Sequence, residues 1–302
     1  MDGVARQFYE QCFKIDFLEK KGDEFQYFFS SVMEKAYPAD FIRVRPWGNV
    51  GDRKNDGYLK SKRMLFQVYA PNEMSAVACV SKIDEDFNGA LPHWNQFFSH
   101  WTFVHNSMRG LGPEVTAKLL ELGAAHANVT VLPWGFEELR REAMNLDESE
   151  LASLFGPAPT RQGMIELGLA DLAPVLDHIT RLPAIGEPDL RPVPADKLQR
   201  NLLSDSVAGL LRAGMSRADL VRKYFKLKPT LQDQIAEAFR AQYAAVRATA
   251  ASPDEIFATL QRCTGGDSIS SPSRQNAVLA TLAFFFEECD IFERPEHVEV
   301  EA

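Results

Sequence analysis

Between Gly51 and Pro71 the chain reads GDRKNDGYLKSKRMLFQVYAP. Asp52 and Asp56 stand in a glycine-bounded turn, and Gln67 and Tyr69 follow Asp56 by eleven and thirteen residues. An aspartate that heads one strand, with a polar-x-polar pair on the next, can hold Mg²⁺ against a phosphate oxygen and a water. Side chains alternate along a strand, so Gln67 and Tyr69 share one face while Phe66 and Val68 point into the core. Glu24, on the helix before, is placed to lie over the sheet edge as a third oxygen ligand.

Those residues need a scaffold, and the pattern around them supplies one. Residues 7–36 carry Phe17, Phe25, Phe28, Phe29, Val32 and Met33 at three-to-four spacing, which predicts helix, broken at Gly22 and ended by Tyr37-Pro38. FIRVRPW (41–47), DGYL and MLFQVYAP (64–71) read as strands. Helix follows over 73–98, with a break expected near Asn88-Gly89. Residues 101–106 and 128–135 are further strands. Helices begin at Pro113 and Phe136. The result is an α/β sandwich with a mixed central sheet over about 1–155. A helical, proline-rich connector is expected over 156–195, and only helical patterns over 196–302.

Here the order of elements over residues 7–135 resembles the restriction-endonuclease-like superfamily, whose signature is PD-(D/E)xK. The chain is most similar to the branch with D-G, a spacer and Q-x-K. Asp56-Gly57 matches the first part and Gln67 the glutamine, while Tyr69 stands where that family has its lysine. The resemblance implies a restriction-endonuclease-like fold and a Mg²⁺- or Mn²⁺-dependent DNA endonuclease. In it Asp56 and Glu24 bind the metal, and Gln67 holds the metal or its water. Asp52 is a reserve ligand. A tyrosine lacks the positive charge that organises water and transition state, so the same residues are also compatible with a domain that has lost its chemistry. Lys54, Lys60 and Lys82 are near in sequence.

The C-terminal helices carry a second resemblance. PADKLQRNLLSDSVAGLLRAGMSRADLVRKYF, IAEAFRAQYAA, SPDEIFATLQRCTGG and ATLAFFFEECDIFE, over 194–294, look like the helical C-terminal domain of small subunits of bacterial ABC-three-component systems. These are predicted conflict or defence systems that pair an ABC-type ATPase with small partners. The likeness implies a bacterial protein that works in a complex with such an ATPase, and it brings no catalytic residue to this segment.

Charge narrows the field. The net charge of −9 argues against a broadly nucleic-acid-coating protein. From Arg43 to Arg63, however, seven basic residues face two acids. Within that stripe Arg43, Arg45, Lys60 and Lys62 are candidates to meet backbone phosphates. From Glu287 to Glu301 the balance reverses, seven acids against Arg294. No apolar run reaches the length of a membrane span. The first residues lack a secretory pattern, so a cytoplasmic protein is expected. Cysteines at 12, 79, 263 and 289 show no metal or disulfide spacing.

Three further stretches invite a role, and each also has a plainer reading. Residues 203–228 have a helix-turn-helix rhythm with basic residues, and read best as a packed hairpin. FVHNSMRGLGPEV (103–115) has the glycines of a phosphate loop, and reads best as an ordinary strand-to-helix connection. Trp94, Phe97, Phe98, Trp101 and Phe103 could stack bases, and read best as a core wall. The sequence therefore leaves open a defence-system endonuclease, a catalytically inactive adaptor or nucleic-acid sensor docking on an ABC-type ATPase, and a DNA-binding regulator. DNA as a partner and self-association stay open with them.

Overall fold

The structure, a computed structural model, describes residues 1–45, 52–182, 197–265, 271–288 and 291–292. It splits into two compact units, Asp16–Leu154 on one side, and Met1–Ile15 with Phe155–Ala302 on the other. Helix α1 (Gly3–Glu19) opens the chain, and Gly22, at φ 49°, separates it from α2 (Gly22–Ala36) as the sequence predicts.

The Asp16–Leu154 unit continues with β1 (Phe41–Arg43), β2 (Gly57–Leu59), β3 (Met64–Tyr69), α3 (Ala76–Trp94), β4 (His100–His105), α4 (Pro113–Ala125), β5 (Thr130–Trp134), α5 (Phe136–Met144) and α6 (Glu148–Phe155). The strands lie in the order β1-β2-β3-β4-β5. β1, β2 and β3 are antiparallel, and β3, β4 and β5 are parallel. A four-residue turn suffices for the first kind of pairing, whereas each parallel step needs a crossover helix, here α3 and α4. The expected strand at 41–47 is shorter, and residues 46–51 lie outside the described residues.

Both faces of the sheet are covered. On one, Leu65, Trp101 and Phe103 pack against Ile83, Phe87 and Leu119 of α3 and α4. On the other, Phe66 meets Phe29 of α2 at 5.3 Å between ring centroids and Trp134 at 5.1 Å. Two-sided burial is what parallel strands impose. The face of Gln67 and Tyr69 is therefore packed as well as that of Phe66. Phe98, Trp101 and Phe103 do form a core wall, while Phe97 is exposed.

Helix α3 shows no break at Asn88-Gly89. Gly89 is there for space: a Cβ on it would stand 2.8 Å from Cγ of Lys54.

The second unit contains α7 (Arg161–Glu166), α8 (Leu169–Ile179), α9 (Lys197–Arg200), α10 (Asp205–Met215), α11 (Ala218–Leu227), α12 (Pro229–Arg247), α13 (Pro253–Gly265) and α14 (Pro272–Glu287). Its axis is α14, where every residue from Gln275 to Phe286 is buried. A helix apolar on all sides must be surrounded. α8, α10, α11 and α13 surround it. The first part of α1 joins this unit: Lys14 pairs with Asp254 at 2.6 Å and Gln11 donates to the Asp254 carbonyl at 3.0 Å. The units divide at Leu154 and Phe155, beside the expected 155. Leu172, Val175, Leu176 and Ile179 of α8 are fully buried, so 169–179 belongs to the helical core and is not a connector. Residues 183–196 lie outside the described residues.

Candidate functional site

Asp56 sits one residue before β2, beside Gln67 in the β2–β3 register, and is only 4% exposed. Its main chain continues the ladder by donating to the Phe66 carbonyl at 2.9 Å. Its side chain closes the ladder. Oδ2 accepts the Val68 backbone N–H at 2.7 Å, and Oδ1 accepts the carboxamide Nε2 of Gln26, from α2. Burial pushes the Asp56 carboxyl up to about 7, against the pull of the Val68 hydrogen bond; the negative charges of Asp52 and Asp86 raise it further.

A second carboxylate stands nearby on α3. Asp86 is fully buried, and its Oδ1 lies 2.8 Å from Lys82 Nζ and 3.2 Å from Lys54 Nζ. Lys54 also pairs with Glu85. Burial raises the Asp86 carboxyl, and the two lysines oppose that. Lys54 is itself raised, first by Glu85, and so stays a cation. Arg53 and Lys54 reach this position through left-handed backbone, at φ 53° and 61°. Asp52 accepts the Lys54 backbone N–H at 2.8 Å and stabilises the turn.

The other expected residues disperse. Glu24 is exposed and lines a groove of about 440 Å³ with Asp16, Lys20, Asp23 and Tyr27. Two residues along a helix is a rotation of about 200°, so Gln26, and not Glu24, is the α2 side chain that meets Asp56. Gln67 is 5% exposed, and its Oε1 has no hydrogen-bond partner. Tyr69 is half-buried against Phe103, ring to ring at 6.1 Å, filling the place of the resemblance's lysine with packing.

The basic stripe also divides. Arg43 pairs with Gly57 in register, at the Asp56 end of the hairpin, and its guanidinium lies over Tyr27 at 4.7 Å. Arg45 is exposed beyond it. Lys60 and Lys62 occupy the opposite end, in the β2–β3 turn. There Lys60 Nζ donates to the Ala39 carbonyl at 2.7 Å, and Lys62 lies over Tyr37 at 5.5 Å.

The donor set does not fit a divalent cation in this arrangement. Both oxygens of Asp56 are engaged, Asp86 is shared by two lysines and Glu24 lies elsewhere. Among the described residues, no three His, Cys, Asp or Glu side chains gather to hold a metal.

In the other unit three basic residues of 203–228 have partners within the fold. Arg217 donates to the Met164 carbonyl, Arg222 pairs with Glu288 at 3.1 Å, and Lys223 pairs with Asp219 at 3.5 Å.

What these helices resemble is specific. Residues 170–293 match the family model of C-terminal domain 10 (CTD10) of the ABC-three component (ABC-3C) systems. The match spans α8 to α14 and so starts earlier than the expected 194, in keeping with the burial of α8. The CTD10 segment excludes the whole sheet-containing unit, and the Asp56 site with it. No curated protein and no solved structure matches the chain. Among the described residues no helix is long and apolar enough to cross a membrane.

Two residues of the site were not singled out from sequence: Gln26 and Asp86. Asp86 left a readable signal, a lone acid on the stripe Cys79, Ile83, Phe87 and Ala90 of α3. Gln26 left none, because one amide among phenylalanines is unremarkable.

Proposed function

We propose that the chain is a component of a bacterial ABC-three-component defence system, acting as a non-catalytic adaptor. In this reading the CTD10 helices dock on the ABC-type ATPase. The sheet unit is a restriction-endonuclease-like platform whose metal site has been converted into structure. The order α2-β1-β2-β3-α3-β4, with Asp56-Gly57 and Gln67 at the expected strands, supports the kinship. The observation that carries the loss of chemistry is the Asp56 carboxylate, held on one oxygen by Gln26 and on the other by the Val68 N–H. Tyr69, packed on Phe103 where the resemblance has a lysine, agrees. Such a unit serves by shape and charge, binding a partner or sensing nucleic acid through Arg43 and Arg45.

Copurification tests the adaptor role. The full chain, co-expressed with an ABC-type ATPase of an ABC-three-component system from the same source, is expected to elute as one complex, and the complex should survive Asp56→Asn. An ATPase that elutes free of the chain would refute it.

One observation favours a second reading, a metal-dependent endonuclease. Gln67 Oε1 and Asp86 Oδ2 are buried oxygens with no hydrogen-bond partner, as ligands awaiting an ion would be. This reading requires Asp56 to exchange Gln26 for a cation, and predicts DNA cleavage that Asp56→Asn abolishes.

A further inference from the structure

The C-terminal ends of β4 and β5 enclose a cleft of about 550 Å³. The chain leaves β4 into α4, on the face of Trp101 and Phe103, and leaves β5 into α5, which packs with α2 on the opposite face. Such a divergence opens a crevice beyond the strand ends, where open α/β sheets bind ligands. The size lies within the range of small-molecule sites. Its walls are mostly apolar: Met108, Leu111, Leu119, Val131, Pro133 and Phe136.

His105 lies at the base and is 3% exposed. Its Nδ1 accepts the Ser107 backbone N–H at 3.3 Å, so the ring proton resides on Nε2. No hydrogen bond engages Nε2 among the described residues. Burial holds the imidazole down at about 4, against the pull of Glu138, so it is neutral at physiological pH. The ring presses on Gly135, where a Cβ would stand 2.7 Å from Cε1. Gly135 in turn donates its N–H to Glu138 Oε2 at 2.9 Å, which brings the carboxylate to the same corner. Among the described residues the charged ones lining the cleft are Glu137 and Glu138, and Glu137 is paired with Arg140 at 2.9 Å. Among the described residues that line the cleft none is a cation.

A buried N–H donor beside a carboxylate acceptor, between apolar walls, matches a flat ring with an acceptor nitrogen next to an amine. Adenine presents that pattern at N7 and N6, and cytosine presents it at N3 and N4. We propose that this cleft binds an amine-bearing nucleobase, as free base or nucleoside, with His105 donating to the ring nitrogen and Glu138 accepting from the amine. The site lies apart from the residues that carry the adaptor reading and does not depend on it.

Calorimetric titration of the full chain with adenosine, cytidine, uridine and inosine tests this. Adenosine or cytidine should bind saturably, and uridine and inosine about tenfold more weakly or not at all, the effect of one buried hydrogen bond left unmade. His105→Phe should weaken the preferred nucleoside by about tenfold or more. Because that variant also strands the Ser107 N–H, Leu120→Trp is the second probe. Leu120 lines the cleft and is 70% exposed, so the larger ring can fill the cleft without disturbing the core. It should abolish binding with the thermal midpoint unchanged. No saturable binding by any nucleoside, or binding that both variants leave intact, would overturn the proposal.

Discussion

Gln26 donates its carboxamide N–H to Asp56, and this bond ties helix α2 to the head of the β2–β3 hairpin. It occupies the carboxylate that would otherwise have to serve a metal. The Val68 backbone N–H occupies the other oxygen. Asp56 is thereby a joint between a helix and two strands.

The joint is sensitive to pH. The folded Asp56 titrates near 7, above its ordinary 3.8, so the folded state binds the proton more tightly than the unfolded chain. The stabilisation is complete below about pH 4, shrinks as pH rises through the interval, and is gone above about 7. Asp56→Asn carries no charge, and its amide can donate to Gln26 once that carboxamide turns. The variant should match wild type near pH 4 and be more stable near pH 8, by about 1–2 kcal/mol. Urea unfolding at the two pH values measures this. A variant less stable than wild type at pH 8 would show that the ionised carboxylate is what the joint requires.

Gly89 offers a test of the lysine cluster. Alanine in place of glycine within a helix ordinarily stabilises by about 1 kcal/mol. Here the new methyl would meet Lys54 Cγ and disturb its pairing with Asp86 and Glu85. Gly89→Ala alone should therefore bring no gain, and in a Lys54→Ala background it should recover about 1 kcal/mol. A double-mutant cycle by chemical denaturation reads the coupling.

Gly214 tests the CTD10 helices. A Cβ there would lie 2.3 Å from the Leu279 carbonyl oxygen and 2.8 Å from Ala283 Cβ, where α10 crosses α14 backbone to backbone. Neither atom can move without separating the helices. Gly214→Ala should destabilise the helical unit by about 2–3 kcal/mol and weaken capture of the ATPase. Thermal unfolding followed by limited proteolysis would detect the first effect, and copurification the second.

Much of the fold was legible because it rests on local rules. Gly22 divides two helices, prolines 113, 229, 253 and 272 open four more, and alternation marks Met64–Tyr69 as a strand. The site was legible only in part. Asp56 and Gln67 are adjacent because the hairpin register makes them so, and their spacing announced it. Glu24 and Gln26 differ by a helical rotation that no periodicity argument fixes without the packing. Asp86 lies thirty residues from Asp56, and only the β3-α3 crossover brings it close. Lys60 and Lys62 appear contiguous with Arg43 in composition, yet the hairpin carries them to the far end, about 10 Å along the strands. Burial of α8 was hidden by the prolines beside it.

The most direct test of the account is a calorimetric titration of Mn²⁺ into the full chain at pH 7.5, beside the Asp56→Asn variant. With Asp56 engaged by Gln26 and Val68, wild type and variant should give the same non-saturating heats. A saturable site in wild type that Asp56→Asn removes would contradict the adaptor reading and restore the metal-dependent enzyme.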